Sequence, residues 1–501
     1  MNSNEKIIID TSPGEKRVAV LKKTRLANLF IERHNAPWLR GAIILAKVTA
    51  SRKELGASFL DLGTSPGYIE HKKMFQPING ESLLVQVLND AHRKKSARVS
   101  SNICFGGKYL DLYPVIGTSS ISRKIKSKKN RGLIKQFIDE NIPNDMGVHI
   151  RESFDVNNLI CMKAVTLAQI KKWKSIKERI SKSRPPSILM PSGGALGLAM
   201  EKYPNADVYE DKDGVLFKDY DLDFEINRAL ERKISLDDGA YLFFDENEAL
   251  TSIDIDIGSS SKPRSETSSL VAHLAEEIIW QLRLREIGGI ILIDFPRFRN
   301  FKIRDNFLKT LQSFALNEEV SLVIHGWTRT GLLEITKPRE GKSLKDSLVG
   351  TVEDNTPALE TAALKVLRCL MKETTGIAFP EVICSPLLQN LINTAFDEEM
   401  RNISYKLGTK VIITEDSEMT DNEFLIKNGI IEDMMLGKKA VCALCGKPQA
   451  KSYKPFCSAN CKLIDLGNWM NGDYKLPSEE NPSEAEILDL SDYLSQKKQQ
   501  F

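Results

Sequence analysis

Ala249-Leu250-Thr251-Ser252-Ile253-Asp254-Ile255-Asp256-Ile257 alternates isoleucine with aspartate over its second half. A period of two marks a half-buried strand, with one face in a core and the other in water. Asp254 and Asp256 then share the wet face, about 7 Å apart at two strand rises, and the isoleucines share the dry one. Upstream, Tyr241–Phe244 reads as a partner strand, with Asp245-Glu246-Asn247 as the turn. Downstream, Leu270, Val271, Leu274, Ile278 and Leu282 recur at helical spacing over 270–286 until Gly288-Gly289 stops the helix. The apolar run Ile290–Ile293 then reads as a buried strand delivering Asp294 at its carboxyl end, before the breaker Phe295-Pro296.

Strand, helix and strand in this order predict an α/β domain, and such folds put their chemistry at the carboxyl ends of strands. Asp254, Asp256 and Asp294 are therefore the candidate catalytic group, with Asp254 and Asp294 the candidate Mg²⁺ ligands. Mg²⁺ prefers one or two carboxylates together with water and phosphate oxygens. Bound there, it would acidify a water and offset charge on a phosphodiester. Spacing alone leaves turn-capping or surface aspartates open.

Further toward the N-terminus the pattern changes to short strands: Gly41–Val48, Ala57–Gly63, Gly67–Ile69, Leu83–Leu88 and a last one at Arg98. Five short strands with exposed aromatics predict an OB-type barrel that stacks single-stranded nucleic acid on its rings. Phe59 and Tyr68 are the candidate platform and Lys95 a candidate phosphate contact. A basic run follows, with Arg123, Lys124, Lys126, Lys128, Lys129, Arg131 and Lys135, able to neutralise several phosphates or simply to solvate a surface. Over 164–182, Leu167, Ile170, Trp173, Ile176 and Ile180 form a helical stripe read as core.

Cys442, Cys445, Cys457 and Cys461 hold half of the chain's 8 cysteines. A CxxC followed after a short loop by CxxxC can wrap one tetrahedral Zn²⁺. The segment is too poor in apolar residues for a core of its own, so the metal would supply most of its folding energy.

The whole chain has 501 residues, 42% hydrophobic and 27% charged, with a net charge of +3. That length asks for several cores. The small net charge means that nucleic-acid affinity must come from local patches. No run reaches the roughly 20 apolar residues of a membrane span. Singly scattered cysteines point to a reducing, cytoplasmic setting.

Taken together, Glu248–Asp256, Gln281–Phe295 and Arg329–Ile335 resemble the ribonuclease E/G family, with Gly107–Leu110, Ile121–Arg123 and Met146–Arg151 as matches in the same order. The resemblance implies an α/β multidomain protein. The implied arrangement is an OB-fold barrel inserted in an RNase-H-like element, beside a nuclease domain resembling deoxyribonuclease and a C-terminal zinc knuckle. It implies a Mg²⁺-dependent endoribonuclease for single-stranded RNA in RNA processing or decay, with Asp254 and Asp294 on the metal. Phe59, Tyr68, Lys95 and Arg123 would contact RNA, and Arg151 a 5′-phosphate.

On this basis the chain divides into an RNase-H-like element in two parts (1–35 and 187–228), the barrel (36–113) and a 5′-end sensor-like region (114–186). A catalytic nuclease domain (229–350), a small α/β domain (351–435), the zinc knuckle (436–477) and a flexible tail (478–501) follow. The sequence departs from the family pattern at Asp256, where Asn is usual, and at Glu152, which replaces a small hydroxyl residue. Ser321 stands near an expected second sensor arginine, and Lys342–Asp354 lacks the cysteines that link family protomers. A homo-oligomer would have to form without that link.

Cys442–Pro448, Pro455–Trp469 and Tyr474–Pro477 resemble the small YacG-type zinc proteins, described as DNA gyrase inhibitors, which implies gyrase or another protein as the partner of this module. A catalytically weak or inactive RNA-binding body stays open as the alternative.

Overall fold

The computed structural model describes residues 5–34, 38–71, 76–91, 96–212, 214–257, 267–296, 301–339, 341–349, 358–372, 377–429, 442–445, 447 and 453–470. Two compact units divide the chain: Met1–Thr11 with Glu15–Leu348, and Ser12–Gly14 with Val349–Phe501.

In the first unit, β1 (Glu5–Ser12), β2 (Glu15–Lys22) and β3 (Arg25–Arg33) make a meander. Their near-continuous apolar runs, such as Val18-Ala19-Val20-Leu21, follow from cover on both faces. On one face lie Ala195, Ala199 and Tyr203; on the other, Phe217, Leu222, Ile226 and Ala229. Between the two the chain departs to build the next layers, and it returns to the sheet only at Asp207–Glu210, parallel to β1.

The first insertion is a closed barrel of β4 (Ile43–Arg52), β5 (Ala57–Asp61), β6 (Pro66–Glu70), β7 (Ser82–Asn89) and β8 (Ala97–Ser100). The order β4-β5-β6-β8-β7 closes through a β7–β4 pairing, and β6 and β8 run parallel. Five-strand closure with this connection is the OB arrangement. Its interior is small and aliphatic: Ile44, Ala46, Val48, Leu60, Ile69, Val85, Val87 and Val99.

Next come β9 (Leu110–Tyr113), β10 (Ser120–Ile121), α1 (Lys128–Asn141), β11 (Gly147–Ile150) and α2 (Leu159–Ile180). β9 lies within the span expected for the barrel, yet it pairs with β11 in a separate sheet ordered β10-β11-β9. Trp173, Ile170 and Ile176 are buried as the helical stripe predicts, but Leu167 is 50% exposed. Thr166 takes the inner position instead, its hydroxyl satisfied by the Met162 carbonyl at 2.8 Å. β12 (Ser187–Met190) then returns to pair with β4.

α3 (Gly194–Lys202), β13 (Asp207–Glu210), α4 (Val215–Asp219) and α5 (Leu222–Leu230) complete the first sheet and its cover. The remaining sheet of this unit holds β14 (Lys233–Ser235), β15 (Tyr241–Glu246), β16 (Leu250–Asp256), β17 (Gly289–Asp294), β18 (Val323–Trp327) and β19 (Leu333–Lys337). Their order is β14-β15-β16-β17-β19-β18. α6 (Thr267–Leu284) and α7 (Phe301–Asn317) cover one face, packing Leu274, Ile278, Phe307 and Leu311 on Ile253, Ile255, Ile291 and Ile293. α8 (Leu344–Leu348) ends the unit.

The second unit contains α9 (Leu359–Lys372), β20 (Pro380–Cys384), α10 (Pro386–Ala395), α11 (Asp397–Leu407), β21 (Ile412–Glu415) and β22 (Phe424–Asn428) around their own core. It also holds α12 (Ala459–Met470), which carries Cys461. The segment 478–501, expected to be a tail, lies outside the described residues. Among the described residues no helix is long and apolar enough to cross a membrane.

Candidate active site and metal-ligand group

The alternation read from Ile253–Ile257 is borne by the burial of β16: Ile253 and Ile255 face the helices, and Asp254 and Asp256 face water. β17 repeats the arrangement, with Ile291 and Ile293 inside and Asp294 exposed. β16 and β17 run parallel, and Asp254 is the register partner of Asp294. Register partners on a pleated sheet point the same way, one strand spacing of about 4.8 Å apart. The two carboxylates thus meet on the open face.

Asp256 does not join them in that row, because it lies two residues further along β16, opposite Tyr241 of β15. Among the described residues the three aspartates do not form a compact donor cluster; the group that does is made of cysteines. Asp294 is held at the strand end by its neighbour Phe295, 1% exposed and stacked on Phe307 at 4.3 Å. β19 starts beside the end of β17, since Leu333 is opposite Ile293. The turn carrying Arg329 and Thr330 is therefore at the same end of the sheet as Asp294.

Beneath the site runs a buried polar frame drawn from Gln281–Glu286. Arg285 donates its Nε to Gln281 at 2.8 Å and lies over the Phe244 ring at 4.4 Å. Burial draws this guanidinium down to about 10 despite the nearby Glu246 and Glu277 carboxylates. Arg283 is 2% exposed and ion-paired with Glu318. These arginines support the fold and do not face the open side of the sheet.

On the barrel, Phe59 of β5 is the direct register partner of Tyr68 of β6. Both are half-buried, while their neighbours Ser58, Leu60 and Ile69 point inward. Tyr68 is in turn paired with Arg98 of β8. Arg98, exposed and ion-paired with Glu70 at 3.2 Å, extends the aromatic pair with a cation. Sequence reading missed it because the β6–β8 contact is non-local. Lys95 lies outside the described residues.

Arg123 is exposed on the turn after β10. Of the basic run that it begins, Arg131 is already used structurally, donating to the carbonyls of Ser122 at 3.1 Å and Ile125 at 3.2 Å. Lys124 pairs with Glu152 at 2.9 Å. Arg151 donates to Asp111, which holds its guanidinium above the usual range, chiefly through that hydrogen bond.

The four cysteine sulfurs lie within 4.8 Å of one another. Cys445–Cys457, Cys457–Cys461 and Cys461–Cys445 are separated by 3.3, 3.6 and 3.7 Å. A sulfur tetrahedron around zinc has edges of roughly 3.8 Å, given Zn–S bonds near 2.3 Å. At Cys442 burial opposes ionisation, but the backbone N–H groups of Cys445, Cys457 and Leu444 outweigh it and draw the thiol down to about 6. At Cys461 the Ser458 hydroxyl favours the thiolate. Burial and protons shared with the other cysteines win, pushing it up to about 12. Soft donors crowded this closely, with the first poised to ionise, support zinc binding.

Comparison with known proteins agrees with these features. Residues 104–210 and 195–340 match the model of the Ribonuclease E/G family, and residues 440–487 match that of DNA gyrase inhibitor YacG. The chain is 26% identical to Ribonuclease G of Salmonella typhimurium (strain SL1344), over 73% of this chain and 87% of that protein. It is 26% identical to Ribonuclease E of Buchnera aphidicola subsp. Schizaphis graminum, over 84% of this chain and 50% of that one. Ribonuclease E of Escherichia coli (strain K12) matches at 26%, over 77% and 42%. Both aspartates of the register pair lie inside the matched 195–340 segment.

Proposed function

We propose that the protein is an endoribonuclease of RNA processing or decay, which cuts single-stranded RNA by Mg²⁺-dependent hydrolysis. The observation that carries this reading is the register pairing of Asp254 with Asp294 on an open sheet face, in a segment similar to ribonucleases E and G. Two exposed carboxylates side by side are the hard oxygen donors that Mg²⁺ takes, with room for water and phosphate oxygens. When bound, the ion would supply activation of a water nucleophile and neutralisation of charge on the phosphodiester.

The chain's own residues do the rest. Asp254 and Asp294 hold the ion, and Asp256 adds a further negative charge on the same strand face. The rings of Phe59 and Tyr68 stack bases, while Arg98 and Arg123 hold phosphates. Arg151 is assigned to the RNA 5′ end, with its hold on a 5′-phosphate weakened by the adjoining Glu152 carboxylate. The β1–β3 and β13 sheet is read as the RNase-H-like element and the β14–β19 sheet as the deoxyribonuclease-like domain. The cytoplasm is the expected place of action. The zinc module is assigned to protein contact, with DNA gyrase the first partner to try, given the family it matches.

The test is cleavage of a single-stranded RNA oligonucleotide with Mg²⁺ and with EDTA, comparing the native chain with Asp254→Ala. Metal-dependent products that vanish in the variant support the reading. Binding with no cleavage by the native chain would replace it with that of a non-catalytic RNA-binding protein.

A further inference from the structure

The open face of the β14–β19 sheet continues past the two carboxylates. Across four neighbouring strands the register runs Lys233, Phe243, Asp254, Asp294. This is one straight row, about 14 Å long at the ordinary strand spacing. In the adjoining row Tyr241 stands opposite Asp256. Each acid of β16 therefore has an aromatic ring as its neighbour on β15.

Neither ring belongs to the core. Tyr241 and Phe243 are half-buried and alternate with the buried Leu242 and Phe244. Positive charge lies over them. The Lys233 ammonium is 3.7 Å from the centre of the Tyr241 ring and 5.7 Å from that of Phe243. The Arg232 guanidinium is 5.5 Å from the Phe243 ring and is fixed by bonds of 2.5 and 2.9 Å to Asp245. Cation–ring contact at an exposed edge is worth only about 0.5–1 kcal/mol, so a phosphate can compete for Lys233.

Two carboxylates on a bare face repel a polyanion, and a chain crossing them needs cations and apolar ground close by. This row provides both. Aromatic rings beside backbone-tracking cations are the general means of holding a single strand.

We propose that the row is the seat of the nucleotide next to the cleaved bond, with its base stacked on Phe243 and Tyr241 and a flanking phosphate on Lys233. This rests on the nuclease reading and adds a substrate subsite to it. The rings are one strand spacing, about 5 Å, from the acids. A base on Phe243 and a phosphate at Asp254 and Asp294 then belong to the same or adjacent nucleotides. Stacking reads no hydrogen-bond pattern, so the subsite tolerates every base and favours those that stack best.

The experiment uses the full chain carrying Asp254→Asn, so that RNA survives, with and without Phe243→Leu. Leucine keeps an apolar side chain on the strand, and a thermal melt checks that each variant is folded. Phe243→Leu should weaken binding of a single-stranded RNA oligonucleotide at least about fivefold. When one abasic nucleotide is moved along the oligonucleotide, that loss should disappear at one position. Lys233→Gln should lower the salt dependence by about one phosphate contact. Equal binding by Phe243→Leu to every oligonucleotide would overturn the subsite. If the native chain cleaves RNA and Phe243→Leu does not alter binding, the subsite fails and the nuclease reading stands. If the native chain does not cleave, yet the abasic cycle closes on Phe243, the row still seats a base, but its place beside a cleaved bond and the hydrolytic reading both fail. Absence of RNA binding overturns both.

Discussion

Arg151 donates its Nε to both carboxylate oxygens of Asp111 at 3.0 Å, and its Nη2 lies 2.8 Å from one of them. The arginine is thus fixed in place before any ligand arrives. Asp111 is itself anchored by the Gly107 N–H at 3.3 Å. With 42% of the Arg151 side chain exposed, part of the guanidinium remains available to an anion. The next residue is Glu152, whose charge is partly answered by Lys124.

From this follows a prediction for 5′-end preference. Glu152→Ser removes an anion beside a held arginine, and an exposed charge pair of this kind is worth about two- to fivefold in affinity. The ratio of kcat/KM for 5′-monophosphorylated over 5′-hydroxylated RNA should rise by about that factor. An unchanged ratio would remove Arg151 from the 5′ end of the substrate.

The Asp254–Asp294 pair carries the second. Asp294→Asn and Asp254→Asn should each lower cleavage by more than about 100-fold, since outer partners of metal ligands alone are worth 10–100-fold. Both side chains are exposed, so the urea midpoint should stay near that of the native chain. Cleavage that survives either substitution would show that the metal site lies elsewhere.

The barrel rings give a third. Phe59→Ala and Tyr68→Ala should each weaken single-stranded RNA binding about five- to tenfold. The double variant should lose less than the product of the two, because cross-strand partners share one base-stacking surface. Multiplicative losses, measured by anisotropy, would assign the rings to separate nucleotides.

What could be read from sequence was local. The Ile253–Ile257 alternation needs only the strand period, and Asp294 needs only the apolar run before it; both lie as expected. The α2 stripe was less legible: the helix begins at Leu159, capped by Asn158, and turns Thr166 inward in place of Leu167. Its orientation is set by Phe105, Phe154 and other residues distant in the chain. Arg98 beside Tyr68, and the row from Lys233 to Asp294, depend on register between strands that the chain order does not reveal. For the same reason the three aspartates, equivalent by spacing, separate into a pair and a neighbour.

Removal of metal from the cysteine group is the fourth prediction. One zinc per chain should be found by elemental analysis, and Cys445→Ser should abolish it. Structural zinc supplies roughly 10–16 kcal/mol to a module of this size, so the segment from 442 should become protease-sensitive. RNA cleavage should persist, because the carboxylate pair belongs to the other unit. Loss of cleavage on chelation with a zinc-selective agent, restored by zinc but not by Mg²⁺, would tie the cysteine group to catalysis.

The last prediction concerns Glu318, ion-paired with the buried Arg283. Burial alone would push this carboxyl up, but the hydrogen bond and charge of Arg283, with Lys22 at 3.2 Å, hold it below the usual glutamate value. A depressed folded value means that the stabilisation is present above the unfolded value near pH 4.3. It is lost as pH falls through the lower, folded one. Glu318→Gln should therefore cost about 1–2 kcal/mol at pH 7, less than breaking a fully buried pair because Glu318 is 27% exposed. Arg283 stays buried beside the Ala27 carbonyl and the Trp280 ring. Denaturation midpoints of the variant and the native chain should converge as pH is lowered below 4.3. A gap that stays constant down to pH 3 would mean that the pair contributes through packing alone.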